Sequence, residues 1–257
     1  MNNLLVMKFG GTSMGSAERI REAARLAREE AARRPLLLVV SAMSKITDLL
    51  LDTLRAAEKG DEQALESSIR AIEERHTAAC TELLGEPAAA AVAGVREMIG
   101  EFERIARGVR MLGVRPEGSV DEAVAVGERL SALMLAAYFN ATGAPAQAVN
   151  ARDVIVTDAV YGNATPLMEP TREKAQRVLR PVLEAGRIPV VTGFNGATAN
   201  GRPTTLGRGG SDFSASILAA ALDASELWIW TDVDGILTAD PRLVGAARLV
   251  PALSFRE

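Results

Sequence analysis

Residues 4–16 read LLVMKFGGTSMGS and residues 189–212 read PVVTGFNGATANGRPTTLGRGGSD. Each stretch carries an apolar strand into a glycine-rich turn and then into a helical pattern. That arrangement lets backbone N–H groups approach phosphate oxygens with no Cβ in the way, and a following helix N-terminus favours negative charge. In the first stretch the apolar run 4–7 leads to Lys8, the Gly10-Gly11 pair, hydroxyls at Thr12 and Ser13, and helical periodicity from Ser16. A lysine beside such a loop supplies a mobile point charge for a transferring phosphoryl group. In the second, glycines stand at 193, 196, 201, 207, 209 and 210, and a helical pattern follows from Asp212. Ordering so many glycines is costly, so close backbone approach to a ligand explains them best. Arg208 stands in this loop without a charged neighbour, where a guanidinium can take a carboxylate or phosphate in a bidentate grip. Asp212 admits two readings, a helix-start carboxylate facing the macrodipole or a group of the site. Two such loops suggest one phosphate chain gripped from two sides.

Outward from these loops, residues 36–40, 188–192 and 227–230 read as buried strands. They alternate with helical patterns, as the βαβ units of a largely parallel sheet do, which makes the chain α/β. Between residues 16 and 34, Ile20, Ala24, Ala27 and Ala31 recur at helical spacing, and the arginines between them read as a solvated face. Residues 61–112 hold no convincing strand and predict helices broken near Gly85-Glu86-Pro87, a helical insertion or lid beside the sheet. In residues 123–140 the only charged residues are Glu128 and Arg129. A helix without a polar face is mostly buried, and its start is marked by Ser119 and Glu122 at capping-box spacing. Adjacent helical residues point about 100° apart, so the two charges face different surroundings. Glu128 either emerges where the helix meets solvent or receives a substrate ammonium.

The segment WIWTDVDGILTADPR, residues 228–242, reads as a strand ending at Thr231-Asp232, a turn at Asp234-Gly235 and a break at Asp240-Pro241-Arg242. Thr231 and Asp232 fall at the carboxyl end of a strand, where open α/β sheets place ligands and where polar groups can hold a base or ribose. Trp228 and Trp230 alternate along the strand and most simply pack against flanking helices, with adenine contact as the alternative. His76 and Cys80, each the sole residue of its type, read as structural.

Composition bounds the rest. The chain has 257 residues, 48% of them hydrophobic, and a formal net charge of −4. That length buries a substantial core as one α/β domain with two lobes. One cysteine excludes a disulfide framework and any cysteine-cluster metal site and fits a reducing compartment. Neither a targeting signal nor a membrane span is visible, so a cytoplasmic location is expected, and the charge balance offers no basic surface for nucleic acid. Small-molecule chemistry is the expectation.

KFGGTSM at 8–14, VVSAMSKITDLL at 39–50, GERLSA at 127–132, TLGRGGSD at 205–212, TDVDGI at 231–236 and DPR at 240–242 lie in order over nearly the whole chain. Together they resemble the aspartokinases, members of the amino-acid-kinase family; no Walker loop and no protein-kinase signature occurs. The resemblance implies an αβα sandwich around a mainly parallel sheet, and transfer of the γ-phosphoryl of ATP to the β-carboxylate of L-aspartate, the first step toward lysine, threonine and methionine. By similarity Lys8 neutralises the transferring group, and Gly10, Gly11, Gly209 and Gly210, with Thr12 and Ser13, hold phosphate oxygens. Ser41, Thr47 and Ser211 lie near aspartate or phosphate, Arg208 takes the α-carboxylate of aspartate and Glu128 its ammonium. Asp212 orients Lys8 and is no general base, because a carboxylate nucleophile has no proton to lose. Thr231, Asp232, Leu237 and Arg242 contact the nucleotide, and Mg2+ enters with ATP, held by phosphates and water.

Two departures from the family pattern stand out. Leu237 occupies the place of a usual tyrosine, and the chain stops at PALSFRE where relatives continue to a GAKVLHP-like segment and regulatory ACT domains. The resemblance therefore implies a catalytic domain over 1–257, without feedback inhibition by lysine or threonine, working as a homodimer or completed by a C-terminal segment or partner. Two alternatives stay open: a nucleotide-binding form that does not turn over, and a related amino-acid kinase with another acceptor.

Overall fold

The computed structural model describes residues 3–254 apart from 234. In chain order it contains β1 (Leu5–Phe9), α1 (Ala17–Ala31), β2 (Leu36–Val40), α2 (Ile46–Glu58), α3 (Glu62–Leu84), α4 (Ala88–Leu112), α5 (Glu117–Val124) and α6 (Val126–Ala141). There follow β3 (Ala146–Val149), β4 (Val156–Thr157), α7 (Met168–Glu184), β5 (Ile188–Thr192), β6 (Asn195–Thr198), β7 (Pro203–Thr205), α8 (Gly210–Ala221) and β8 (Glu226–Trp230). The main sheet has the order β3-β5-β2-β1-β8 and is parallel throughout. A smaller sheet, β4-β6-β7, pairs β4 with β6 in parallel and β6 with β7 antiparallel.

Side-chain alternation along the strands builds two cores. Leu5, Met7 and Phe9 of β1, with Leu36, Leu38 and Val40 of β2, join the cluster that contains α1, α2, α3, α4 and α6. Leu4 and Val6, with Leu37 and Val39, face the opposite cluster, filled by Leu179 of α7 and Leu218 of α8. Strands buried on both faces need apolar residues at nearly every position, which is why β2 reads as an uninterrupted apolar run and β1 as one broken only by Lys8. The result is an αβα sandwich.

Several elements depart from the sequence expectation. The strand over 227–230 is an edge strand among the described residues, so Glu226 and Ile229 are exposed rather than buried. The long loop after β5 contains the β6-β7 hairpin, turned at Gly201 with φ +77. The helix over 123–140 is interrupted at Ala125, and α5 starts behind Pro116 with no side-chain cap. Ser119 therefore lies inside α5, and Glu122, free of any capping duty, accepts from Arg152 at 3.0 and 3.1 Å. Helices α3 and α4 break at 85–87 as expected, but they stack on α2 and α6 as an outer layer, and no described residue of either lines the pocket below. Of the arginines of 19–34, Arg19, Arg25 and Arg33 are exposed, Arg21 and Arg28 are partly buried against Glu82 and the Thr142 carbonyl, and Arg34 inserts at the sheet edge between Glu30 and Glu226, 5.2 Å from the ring centre of Trp228. Of the turn read at Asp234-Gly235, Asp234 lies outside the described residues.

Candidate active site

All five strands of the main sheet are parallel, so the loops leaving β1, β2 and β5 open on one edge. There they enclose a pocket of about 340 Å³. Both glycine loops border it, and they do so differently. The first is a tight turn closed by Met14 N–H on the Gly10 carbonyl and Gly15 N–H on Thr12, and α1 begins only at Ala17, capped by Ser16. It is docked onto the next loop through Ser44, whose N–H and hydroxyl both donate to the Gly11 carbonyl at 3.1 and 2.9 Å. The second loop runs straight into α8, which starts at Gly210, two residues before the expected Asp212. Gly207 and Gly209, at φ +74 and +75, hold a left-handed conformation that favours glycine. Unlike the first, this loop opens directly into a helix N-terminus, where Gly210 N–H is already engaged by the Gly207 carbonyl at 3.0 Å and Asp212 N–H by the Gly209 carbonyl at 3.1 Å.

Lys8 lies in β1, 7% exposed, and its Nζ is 2.5 Å from Asp212 Oδ1 at the start of α8. The built position of a Cβ on Gly10 would be 3.5 Å from Lys8 Nζ, so the first loop passes close over the ammonium. A buried lysine needs a partner, and Asp212 provides it while remaining half-exposed toward the pocket.

Glu128 enters from the other side. Gly127 is pressed so hard on the 41–45 loop that a Cβ there would be 2.8 Å from that of Ala42, and this contact carries the next residue into the pocket wall. Glu128 is 3% exposed, and its Oε2 has no hydrogen-bond partner. Burial pushes its carboxyl up to about 8, against the pull of the Ala42 and Glu128 amides and the positive charge of Lys8. Arg129, one position on, turns away to Glu101 at 2.6 Å. The two charges do face different surroundings.

Ser41, Thr47, Arg208, Gly209, Ser211 and Asp212 also line the pocket, together with Lys8, Gly11, Glu128 and Gly210. Gly10, Thr12 and Ser13, expected at the phosphate, belong to the same turn as Gly11 but do not line the pocket. Thr231 and Asp232 follow β8 on the same edge, where the Trp230 carbonyl accepts from Gly10 N–H, but they do not line the cavity. Leu237 bridges to Leu249, and Arg242 grips Asp240 through Nε and Nη2 at 3.1 and 2.7 Å. Trp230 stacks at 6.1 Å on Phe9, its register partner in the neighbouring strand β1, where packing against flanking helices was expected. His76 is fully buried in α3 with Nδ1 on the Ile72 carbonyl, and burial lowers its pKa to about 4, so it stays neutral and structural.

Sequence reasoning missed seven lining residues, the polar Ser44, Lys45 and Asp48 together with Phe194, Ala42, Met43 and Gly207. Phe194 follows Gly193 at φ +71, costly for an aromatic residue. Its neighbours hold it there. Its N–H donates to Ser214 at 2.9 Å, its carbonyl accepts from Leu206, and Thr192 and Asn195 are tied to each other at 2.8 Å on either side. Asp121 of α5 was missed as well. Its two oxygens accept from Gly162 N–H, Thr205 N–H and the Thr205 hydroxyl at 2.9, 3.0 and 3.0 Å, clamping β7 just before the second glycine loop. Its signal, one of three acids in SVDEAVAVGE and directly beside Glu122, is weak without a structure.

Residues 3–257 match the model of the amino acid kinase family. The chain is 36% identical over 255 residues to the bifunctional aspartokinase/homoserine dehydrogenase 1 of Arabidopsis thaliana, covering 98% of this chain and 27% of that protein. It is 37% identical over 255 residues to the aspartokinase of Chlamydia trachomatis, covering 98% and 54%. The crystal structure of E. coli aspartokinase III in complex with aspartate and ADP superposes with a TM-score of 0.88 at 33% identity, over 96% of this chain and 53% of that one. The chain thus spans between about a quarter and about half of the length of these relatives.

Proposed function

The chain belongs to the amino acid kinase family, and from that premise we propose that its pocket transfers the γ-phosphoryl of ATP to the β-carboxylate of L-aspartate. The observation that carries this reading is the Lys8–Asp212 pair at 2.5 Å, set between two glycine loops and opposite the buried Glu128. A phosphate chain meets glycine amides and a lysine; an amino acid meets a carboxyl and a guanidinium. The aspartokinases among the relatives, one of them solved with aspartate and ADP, support the same choice.

In this reading a β-carboxylate oxygen of aspartate attacks the γ-phosphorus, the bond from phosphorus to the β–γ bridging oxygen breaks, and ADP leaves with that oxygen. No proton is released from the nucleophile, so no general base is required. Phosphoryl transfer asks the protein for position and charge neutralisation. Lys8, held by Asp212, follows the moving negative charge. The amides of Gly11 and Gly209 hold the oxygens that stay on phosphorus, while the expected contribution of the Gly210 amide is taken up by the Gly207 carbonyl. Arg208 receives the α-carboxylate, while Glu128 receives the ammonium and ionises as it does so; Ser41, Thr47 and Ser211 supply hydroxyls to either substrate. Thr231, Asp232, Leu237 and Arg242 serve the nucleotide from the neighbouring stretch of the same sheet edge. Mg2+ would enter with ATP, its phosphates supplying oxygen ligands and its charge helping to neutralise the transferring group. The chain acts as a catalytic domain, on its own or completed by a further segment or partner.

The test is aspartate-dependent ADP release by the purified chain. Lys8→Ala abolishes it, by on the order of a thousandfold or more, as the loss of a charge that acts only in the transition state does. ADP release that ignores aspartate, or survives in Lys8→Ala, contradicts the proposal.

A further inference from the structure

Lys45 stands in the left-handed region, φ +65, at the position preceding α2. A side chain there costs about 1–2 kcal/mol relative to glycine, and lysine has none of the local hydrogen bonding with which Asn or Asp offset it. The backbone is well determined nonetheless. Ile46 N–H closes on the Met43 carbonyl at 3.0 Å, Leu49 N–H on the Lys45 carbonyl at 3.1 Å, and Ser44 is fastened twice to Gly11. Glycine would fit the turn with less strain.

The side chain of Lys45 lines the pocket and is exposed. Asp48 lines it as well, three positions along the same turn, yet the two form no ion pair. Among the described residues that line the pocket, Lys8 is committed to Asp212, while Lys45 and Arg208 make neither an ion pair nor a side-chain hydrogen bond. The two uncommitted cations stand on different walls. Arg208 belongs to the second glycine loop. Lys45 follows the residue that is bolted to Gly11, on the side of the first loop.

We propose that Lys45 is a further substrate-binding residue, its ammonium taking the terminal phosphoryl oxygens of the nucleotide from the side of the first glycine loop, and that this contact is why a strained position carries lysine. The assignment rests on the reading of the pocket as a phosphoryl-transfer site. A flexible ammonium with rotatable donors suits a phosphoryl group that moves between two oxygens, and the planar fork of Arg208 suits a carboxylate that does not. Charge-assisted contacts of this kind change affinity by roughly tenfold or more.

Two substitutions separate charge from strain. Lys45→Met keeps the unbranched stem and the strained backbone; Lys45→Gly removes both the charge and the strain. Calorimetric titration of MgATP into the unmodified chain first establishes nucleotide binding, and absence of binding there overturns the pocket reading and this proposal together. With binding established, both variants lose roughly tenfold in MgATP affinity, and the aspartate KM of each stays within about twofold of the unmodified chain. Lys45→Met melts within about a degree of the unmodified chain, while Lys45→Gly melts roughly 2 °C higher, as relief of strain in a domain of this size predicts. Unchanged MgATP affinity in Lys45→Met overturns the proposal while leaving the pocket reading intact. So does a loss confined to aspartate, which would put Lys45 on the acceptor side.

Discussion

Glu128 is where the electrostatics of the pocket and the stability of the fold pull against each other. Its carboxyl is held near 8 by burial instead of the ordinary 4.5, so the folded chain binds a proton there that the unfolded chain releases above pH 4.5. The stability from this protonated group is fully present below pH 4.5 and is lost as pH rises toward 8, by on the order of 4–5 kcal/mol once both states are ionised. Glu128→Gln removes that dependence, so at pH 9 the variant melts higher than the unmodified chain, while its aspartate KM rises at least tenfold because the ammonium loses its counter-charge. Thermal melting at pH 5 and pH 9 with aspartate titrations checks both halves; a variant that melts lower at pH 9 contradicts this account of the group. The residue itself was readable from GERLSA and from the apolar helix around it. Its pressure against the 41–45 loop through Gly127 was not, because a close approach between distant segments leaves no periodicity in the sequence.

Elements decide how well those residues are held. Asp121 ties α5 to Gly162 and to Thr205 with three accepted hydrogen bonds, and Thr205 is only three residues from Arg208. Burial raises the pKa of this carboxyl while the three donors pull it back, so its bonds are what justify its place in the interior. Asp121→Ala orphans the three donors and costs about 3 kcal/mol of stability, and the loosened loop raises the aspartate KM several-fold more than the ATP KM. Melting and substrate titrations measure it; equal effects on both substrates would reduce Asp121 to scaffold alone. The strands β2 and β5, buried on both faces, were legible to the residue, because LLLVV is an unbroken apolar run and IPVVT nearly one, whereas β1 extends to Phe9 with Lys8 inside it, past the apolar run 4–7. The β6-β7 hairpin was hidden by its glycines and threonines, which read as loop. The capping box at Ser119 misled because Pro116 starts α5 earlier and Glu122 finds Arg152 instead. Local pattern yields to tertiary pairing at such places.

At the scale of the molecule, the αβα sandwich brings together at one edge segments separated by about 200 residues in sequence. β1 delivers Lys8 and the first glycine loop, β2 the 41–48 loop, β5 and the hairpin after it the second glycine loop and the start of α8, and α6 brings Glu128 from one face. Motif order along the chain implied that convergence, but only the parallel topology explains it, because strands of one direction must open their carboxyl ends together. In the proposed reaction this edge makes an acyl phosphate on aspartate. Hydroxylamine added to the purified chain with MgATP and single amino acids traps any acyl phosphate as a hydroxamate. Hydroxamate is expected with L-aspartate, little with L-glutamate, and none from Lys8→Ala. Hydroxamate from glutamate in preference to aspartate, or from neither while ATP still binds, would contradict the proposed reaction.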